Sequence, residues 1–133
     1  MIEKPHIIEF NKIGSSELGY ISVAENKDQI PFDIKRVYWT YLTPNEVQRG
    51  FHAHKKLSQV IVAVSGTIKL TLKDKEGLEY AFVLDNPSIG LYIPKKYWRE
   101  ISFFQNAVLL CLASDKFDEN DYIRDFNDFK DIK

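Results

Sequence analysis

The chain has 133 residues, enough for one domain whose core removes about two-thirds of the unfolded surface from water. Its composition, 44% apolar and 28% charged, excludes a wholly disordered protein. Eighteen Lys and Arg against nineteen Asp and Glu leave a net charge of −1, which excludes a general electrostatic grip on nucleic acid or on an anionic membrane.

The opening Met1-Ile2-Glu3-Lys4-Pro5-His6 lacks the basic-then-apolar character of a secretion signal. No apolar run approaches the ~20 residues that a membrane span requires. The expectation is a cytoplasmic protein with a single domain over residues 1–133. Apolar segments of strand length then recur at 37–42, 59–64, 68–72, 80–84, 90–93, 100–104 and 108–113. Between them stand turn-forming residues: Ser65-Gly66, Lys75-Glu76-Gly77, Asp85-Asn86-Pro87 and Gln105-Asn106. Thr67, Lys69, Thr71 and Lys73 alternate with Ile68, Leu70 and Leu72, a period of two that predicts one wet and one buried face. By contrast, Val60-Ile61-Val62-Ala63-Val64 is apolar throughout and predicts a strand covered on both sides, by a partner subunit or by a neighbouring sheet.

The lone cysteine, Cys111, lies in the apolar run Val108-Leu109-Leu110-Cys111-Leu112-Ala113, where an inert buried thiol is expected. It excludes an intrachain disulfide and a cysteine-built metal site. Over 118–130 the apolar residues Tyr122, Ile123, Phe126 and Phe129 fit one face of a short helix, with acids and a cap residue in Asp118-Glu119-Asn120-Asp121. The pattern predicts an all-β domain followed by a short helical segment.

The densest chemistry is in Arg49-Gly50-Phe51-His52-Ala53-His54-Lys55-Lys56-Leu57-Ser58-Gln59. In an extended strand His52 and His54 point to one side, close enough to share a metal or to act together as acid and base. Val37, Trp39 and Tyr41 alternate with Arg36, Tyr38 and Thr40, so Arg36 and Tyr38 share a face. Trp39, Tyr92 and Trp98 are read as packing residues that could also stack on a base. Arg124 is assigned to the terminal helix, paired with Asp121 or Asp128, and stays outside the site.

Gly50, His52, His54, Gln59 and Gly66, followed by Gly90, Pro94 and Arg99, resemble the two motifs of the cupin superfamily. The usual carboxylate ligand is replaced by the Gln59 amide and the third imidazole by Arg99. A permanent guanidinium cation opposes a divalent metal, so no metal or other cofactor is expected. Within the cupins, Ile30-Pro31-Phe32-Asp33-Ile34-Lys35-Arg36-Val37-Tyr38, Arg49-Gly50-Phe51-His52-Ala53-His54-Lys55-Lys56, Gly90-Leu91-Tyr92-Ile93-Pro94, Leu112-Ala113-Ser114-Asp115 and Asp121-Tyr122-Ile123-Arg124 resemble the dTDP-sugar 3,4-ketoisomerases. The resemblance implies an RmlC-like jelly-roll barrel, usually a homodimer. It also implies conversion of dTDP-4-keto-6-deoxyglucose to a 3-keto sugar that feeds 3-amino-3,6-dideoxy sugars of surface glycans.

On that reading His52, His54 and Tyr38 are catalytic, with the division of labour between the two imidazoles open. Arg36, Arg49, Gln59 and Arg99 bind substrate. A cupin epimerase using the same bases, a non-catalytic nucleotide-sugar-binding cupin and a metal-dependent cupin dioxygenase are the alternatives.

Overall fold

The computed structural model describes residues 3–133; Met1 and Ile2, which begin the segment read for a secretion signal, lie outside the described residues. The elements are β1 (His6–Glu9), β2 (Asn11–Ser15), β3 (Gly19–Val23), β4 (Arg36–Thr40), β5 (Gln48–His54), β6 (Gln59–Lys73), β7 (Glu79–Leu84), β8 (Ile89–Ile93), β9 (Trp98–Ala113), β10 (Tyr122–Ile123) and α1 (Phe126–Lys130). A 3-10 turn over Glu119–Asp121 precedes β10. No helix among the described residues is long and apolar enough to cross a membrane.

Two long strands organise the barrel. β6 and β9 pair antiparallel from Gln59 opposite Ala113 to Lys73 opposite Trp98. The first part of β6 also pairs with β8 and its second part with β7. Likewise the first part of β9 pairs with β5 and the second with β4. Each long strand therefore serves two sheets, β1-β8-β6-β9-β4 and β7-β6-β9-β5-β10, as in the expected jelly roll. β2 and β3 form a separate hairpin, an element that the apolar pattern did not suggest.

The turns expected at Ser65-Gly66 and Gln105-Asn106 do not end strands. Gly66, Gln105 and Asn106 all adopt left-handed backbone, with φ of 71°, 60° and 53°. The ladder slips between Ala63 and Thr67 and then resumes. These residues bend two continuous strands where the sequence suggested four separate ones. A side chain on Gly66 would stand 2.6 Å from the Ala107 Cα, so this crossing needs glycine for space as well as for its φ.

The period of two beyond the bend is as read: Ile68, Leu70 and Leu72 are buried and Lys69 is exposed. The apolar run before it is covered on both sides from Val60 to Ala63, though from within the chain, while Val64 at its end is exposed. Ile61 and Ala63 join the barrel core with Leu91, Phe103 and Leu109. Val60 and Val62 pack under Phe10, Ile30 and Tyr92, with Phe32 and Ile34 alongside. The N-terminal third thus supplies the cover that had been assigned to a partner or a second sheet.

The helix expected over 118–130 is also corrected. The Asp118 side chain caps only the 3-10 turn, and the backbone becomes extended at Tyr122. Tyr122 and Ile123 then pair with His54 and Ala53 of β5. Asp125 starts afresh, accepting from the backbone N–H of Asn127 and Asp128 to cap α1. A third cluster of Ala53, Trp98, Ile123 and Phe129 fastens this end of the chain to the barrel. Sheet pairing and burial override the local helical periodicity here.

Candidate active site

A cavity of about 470 Å³ opens at one end of the barrel, lined by Tyr38, Arg49, His52, Gln59, Arg99, Tyr122 and Arg124 over apolar walls that include Ile61, Phe103 and Leu109. β5 reaches it through a bulge. The register shifts between Gly50 and His52, and Gly50 and Phe51 have φ of 91° and 54°. A Cβ on Gly50 would lie 2.8 Å from the Arg99 carbonyl oxygen, so only glycine lets β5 pass this close to β9.

Beyond the bulge His52 and His54 share a face as expected, their ring centroids 5.1 Å apart and nearly perpendicular. They are not equivalent. His52 is half-buried and lines the cavity, whereas His54 is 1% exposed and lies behind the lining. His52 donates its Nδ1–H to the Gly50 carbonyl oxygen at 2.9 Å, which leaves Nε2 as the proton acceptor. His54 donates its Nδ1–H to Oδ2 of Asp121 at 3.0 Å, and its buried Nε2 has no partner among the described residues.

Burial, followed by the Arg99 charge, pushes His52 down to about 4. The same two causes push His54 down. The hydrogen bond to Asp121 fixes the His54 tautomer. Asp121 is itself held, its Oδ1 accepting from the backbone N–H of Lys56 at 2.8 Å. Both rings are therefore neutral bases near pH 7.

The cavity floor is a chain of polar groups. Arg99, 1% exposed, donates from Nη1 to the Gln59 Oε1 and from Nη2 to the Tyr97 carbonyl oxygen at 3.0 Å. Its Nε has no partner among the described residues. Gln59 in turn donates from Nε2 to the Tyr38 hydroxyl at 3.1 Å. Burial raises the Tyr38 pKa strongly, so its hydroxyl stays protonated. Cys111, beneath Tyr38, is pushed up to about 11 by burial and is the inert thiol expected.

A model of the family described as "FdtA: WxcM-like, C-terminal" matches residues 3–133. The chain is 44% identical over 125 residues to a TDP-4-oxo-6-deoxy-alpha-D-glucose-3,4-oxoisomerase from Aneurinibacillus thermoaerophilus, covering 93% of this chain and 88% of the relative. It belongs to the sugar-nucleotide 3,4-ketoisomerase family. Among solved structures it resembles a histidine-to-asparagine mutant of the 3,4-ketoisomerase QdtA from Thermoanaerobacterium thermosaccharolyticum, determined in complex with TDP-4-keto-6-deoxyglucose. That match has 40% identity and a TM-score of 0.91, over 98% of this chain and 94% of the other. The fold alone is shared with the rmlC epimerase of Mycobacterium tuberculosis, at 16% identity and a TM-score of 0.74 over 89% of this chain and 66% of that one.

Of the residues singled out in this ketoisomerase from sequence, Tyr38, Arg49, His52, Gln59 and Arg99 line one cavity. Arg36 shares the face of Tyr38 but packs against the rings of Tyr38 and Phe117, at 5.4 and 5.7 Å, outside the lining. Trp39 is exposed on the opposite face of β4, Tyr92 belongs to the second apolar cluster and Trp98 to the third, so none of the three lines the cavity. Arg124, read as a helix residue paired with Asp121 or Asp128, instead lines the cavity and pairs with Glu119.

Asp121 and Tyr122 were missed for the same reason, the helical reading of their segment. The rings of Tyr122 and His54 lie 4.5 Å apart, and those of Tyr122 and His52 5.1 Å. The usable signal was the alternation of Tyr122 with Arg124, which places both on one face of an extended segment.

The donor set does not fit the divalent metal common in cupins. Where a third imidazole would stand, the Arg99 guanidinium occupies the oxygen of Gln59, so neither residue is free to coordinate an ion.

Proposed function

We propose that this chain converts TDP-4-keto-6-deoxyglucose to its 3-keto isomer by proton transfer between protein bases, without a metal or redox cofactor. The observation that carries the reading is the meeting of a neutral cavity-facing imidazole with a buried, carboxylate-free guanidinium across one pocket. His52 Nε2 removes the proton from C3. The electron pair moves onto O4, giving an enediolate that the Arg99–Gln59–Tyr38 floor stabilises. O4 takes a proton, O3 loses one, and a proton delivered to C4 completes a ketone at C3 with no net change in protons or electrons. His54, set by Asp121, is the second imidazole of this exchange and does not itself need to touch the sugar ring.

Incubating the protein with TDP-4-keto-6-deoxyglucose and following the sugar by proton NMR tests this directly. A ketone appearing at C3 supports it. Inversion at C3 or C5 with the ketone left at C4 would make the chain an epimerase instead.

We also infer a cytoplasmic homodimer. The support is the large apolar side chains left exposed, Val37 and Trp39 on the outside of β4, Tyr41 just beyond it, and Ile13, Tyr20 and Ile21 on the β2–β3 hairpin. Light scattering on the purified chain reads the mass: a dimer agrees and a monomer at working concentration does not.

A further inference from the structure

The cavity mouth holds an ion pair that the proton chemistry does not use. Arg124 donates from Nε to Glu119 Oε1 at 2.7 Å and from Nη2 to Glu119 Oε2 at 2.9 Å, a bidentate pair. Its guanidinium also lies 4.3 Å from the centre of the Tyr122 ring, the ring that contacts both imidazoles. Arg124 lines the cavity and Glu119 does not, and no carboxylate is among the lining residues. Both side chains are more than half exposed, at 54% and 58%. Such a pair contributes little to stability and is readily exchanged. The fork that now grips a carboxylate has the geometry that grips a phosphate.

We propose that Arg124 is a diphosphate-binding residue held in waiting by Glu119, and that the nucleotide's phosphate displaces the Glu119 carboxylate when substrate enters. This rests on the nucleotide-sugar reading above and adds to it a binding residue and its competitor. Three features converge on this position. The Tyr122 ring holds the guanidinium at the rim and also contacts the ring of His52. Arg49, exposed on the lining, supplies a second cation for the second phosphate charge. Arg99 cannot serve there, because it is fully buried and committed to Gln59 and Tyr97. Glu119 then acts as an internal competitor that lowers the affinity of the mouth for any anion smaller or weaker than a diphosphate.

The test is calorimetric titration of TDP and, separately, of thymidine into wild type, Arg124→Gln, Glu119→Gln and the double variant, with thermal melts as a control on folding. Arg124→Gln should weaken TDP binding about tenfold or more, as expected for loss of a charge-assisted bidentate contact, and leave thymidine binding unchanged. Glu119→Gln should tighten TDP binding several-fold in the presence of Arg124 and have no effect in its absence. In turnover assays Arg124→Gln should raise KM with kcat nearly unchanged. Equal TDP affinity in wild type and Arg124→Gln would overturn the proposal, as would a parallel loss of thymidine binding, which marks a structural role. Failure of wild type to bind TDP at all would instead overturn the nucleotide-sugar reading itself.

Discussion

The long ladder of β6 against β9 and the segment after Asp118 meet at the same cavity and are held there by different means. The ladder runs from Gln59 opposite Ala113 to Lys73 opposite Trp98 and completely buries Ile68 and Leu72. The terminal segment is a three-residue 3-10 turn, a two-residue strand and a five-residue helix, none long enough to persist alone. It stays in place because Ile123 and Phe129 dock on Ala53 and Trp98, and because Asp121 is tied to His54 and to the Lys56 amide. On the proposed mechanism the barrel contributes the groups that meet the sugar, while the terminal strap contributes the groups that aim them. A rigid scaffold can therefore be paired with a cheaply displaced rim in one small domain.

The sharpest break of this division is His52→Asn. Removing the cavity-facing base should lower kcat by about a thousandfold, with the melting temperature and TDP affinity close to wild type. Asp121→Asn acts one step behind it. The Lys56 amide contact survives but His54 loses its fixed tautomer, and a fall of about a hundredfold in kcat with little change in KM is expected.

A pair of core variants sharpens the contrast further. Phe129→Ala and Leu70→Ala each empty a buried site, at about 3–5 and 2–5 kcal/mol respectively. Below their melting transitions Leu70→Ala should keep most of its activity. Phe129→Ala should lose activity and TDP affinity together, because Asp121, Tyr122 and Arg124 leave with the strap. Assays on the two variants at a temperature where circular dichroism shows both folded would read the difference.

The smallest effect is in pH dependence. His52 titrates near 4 in the folded chain, against about 6.5 for an unperturbed imidazole. Its base form thus persists well below neutrality, and the acid limb of kcat/KM should fall with a midpoint near pH 4 rather than near 6.5. The sign for stability follows from the same shift. Both imidazoles are depressed in the folded state, so the unfolded chain takes up protons first as pH drops below about 6.5. Their contribution to stability is complete above that pH and is lost progressively toward pH 4 for His52 and on below it for His54, which thermal melts at stepped pH would record.

The same contrast governs how much could be read from sequence. Where a strand faces water on one side, as at Ile68, Leu70 and Leu72, alternation alone gave the face but not the start of the strand, which runs on unbroken from Gln59. The His52 and His54 pairing was legible for the same reason, even though a bulge at Gly50 and Phe51 intervenes. Ser65-Gly66 and Gln105-Asn106 were identified as special backbone but misjudged as strand ends, because left-handed residues mark a bend as readily as a turn. The strap defeated local reading altogether. Tyr122, Ile123, Phe126 and Phe129 have helical spacing, yet the partners that decide the outcome, Ala53, His54 and Trp98, are distant in sequence. Asp121 as the partner of His54 was invisible for that reason, whereas Arg124 at the rim was signalled only by its alternation with Tyr122.

The central claim, that two imidazoles beside a buried guanidinium move the proton without help from a metal, is tested most directly by turnover of chelator-treated protein. The protein would be freed of bound metal, checked by elemental analysis, and given TDP-4-keto-6-deoxyglucose while NMR follows the sugar. The expected result is formation of the 3-keto sugar at the rate of untreated protein, unchanged by added divalent ions. An inactive stripped protein, restored by one particular metal, would contradict it.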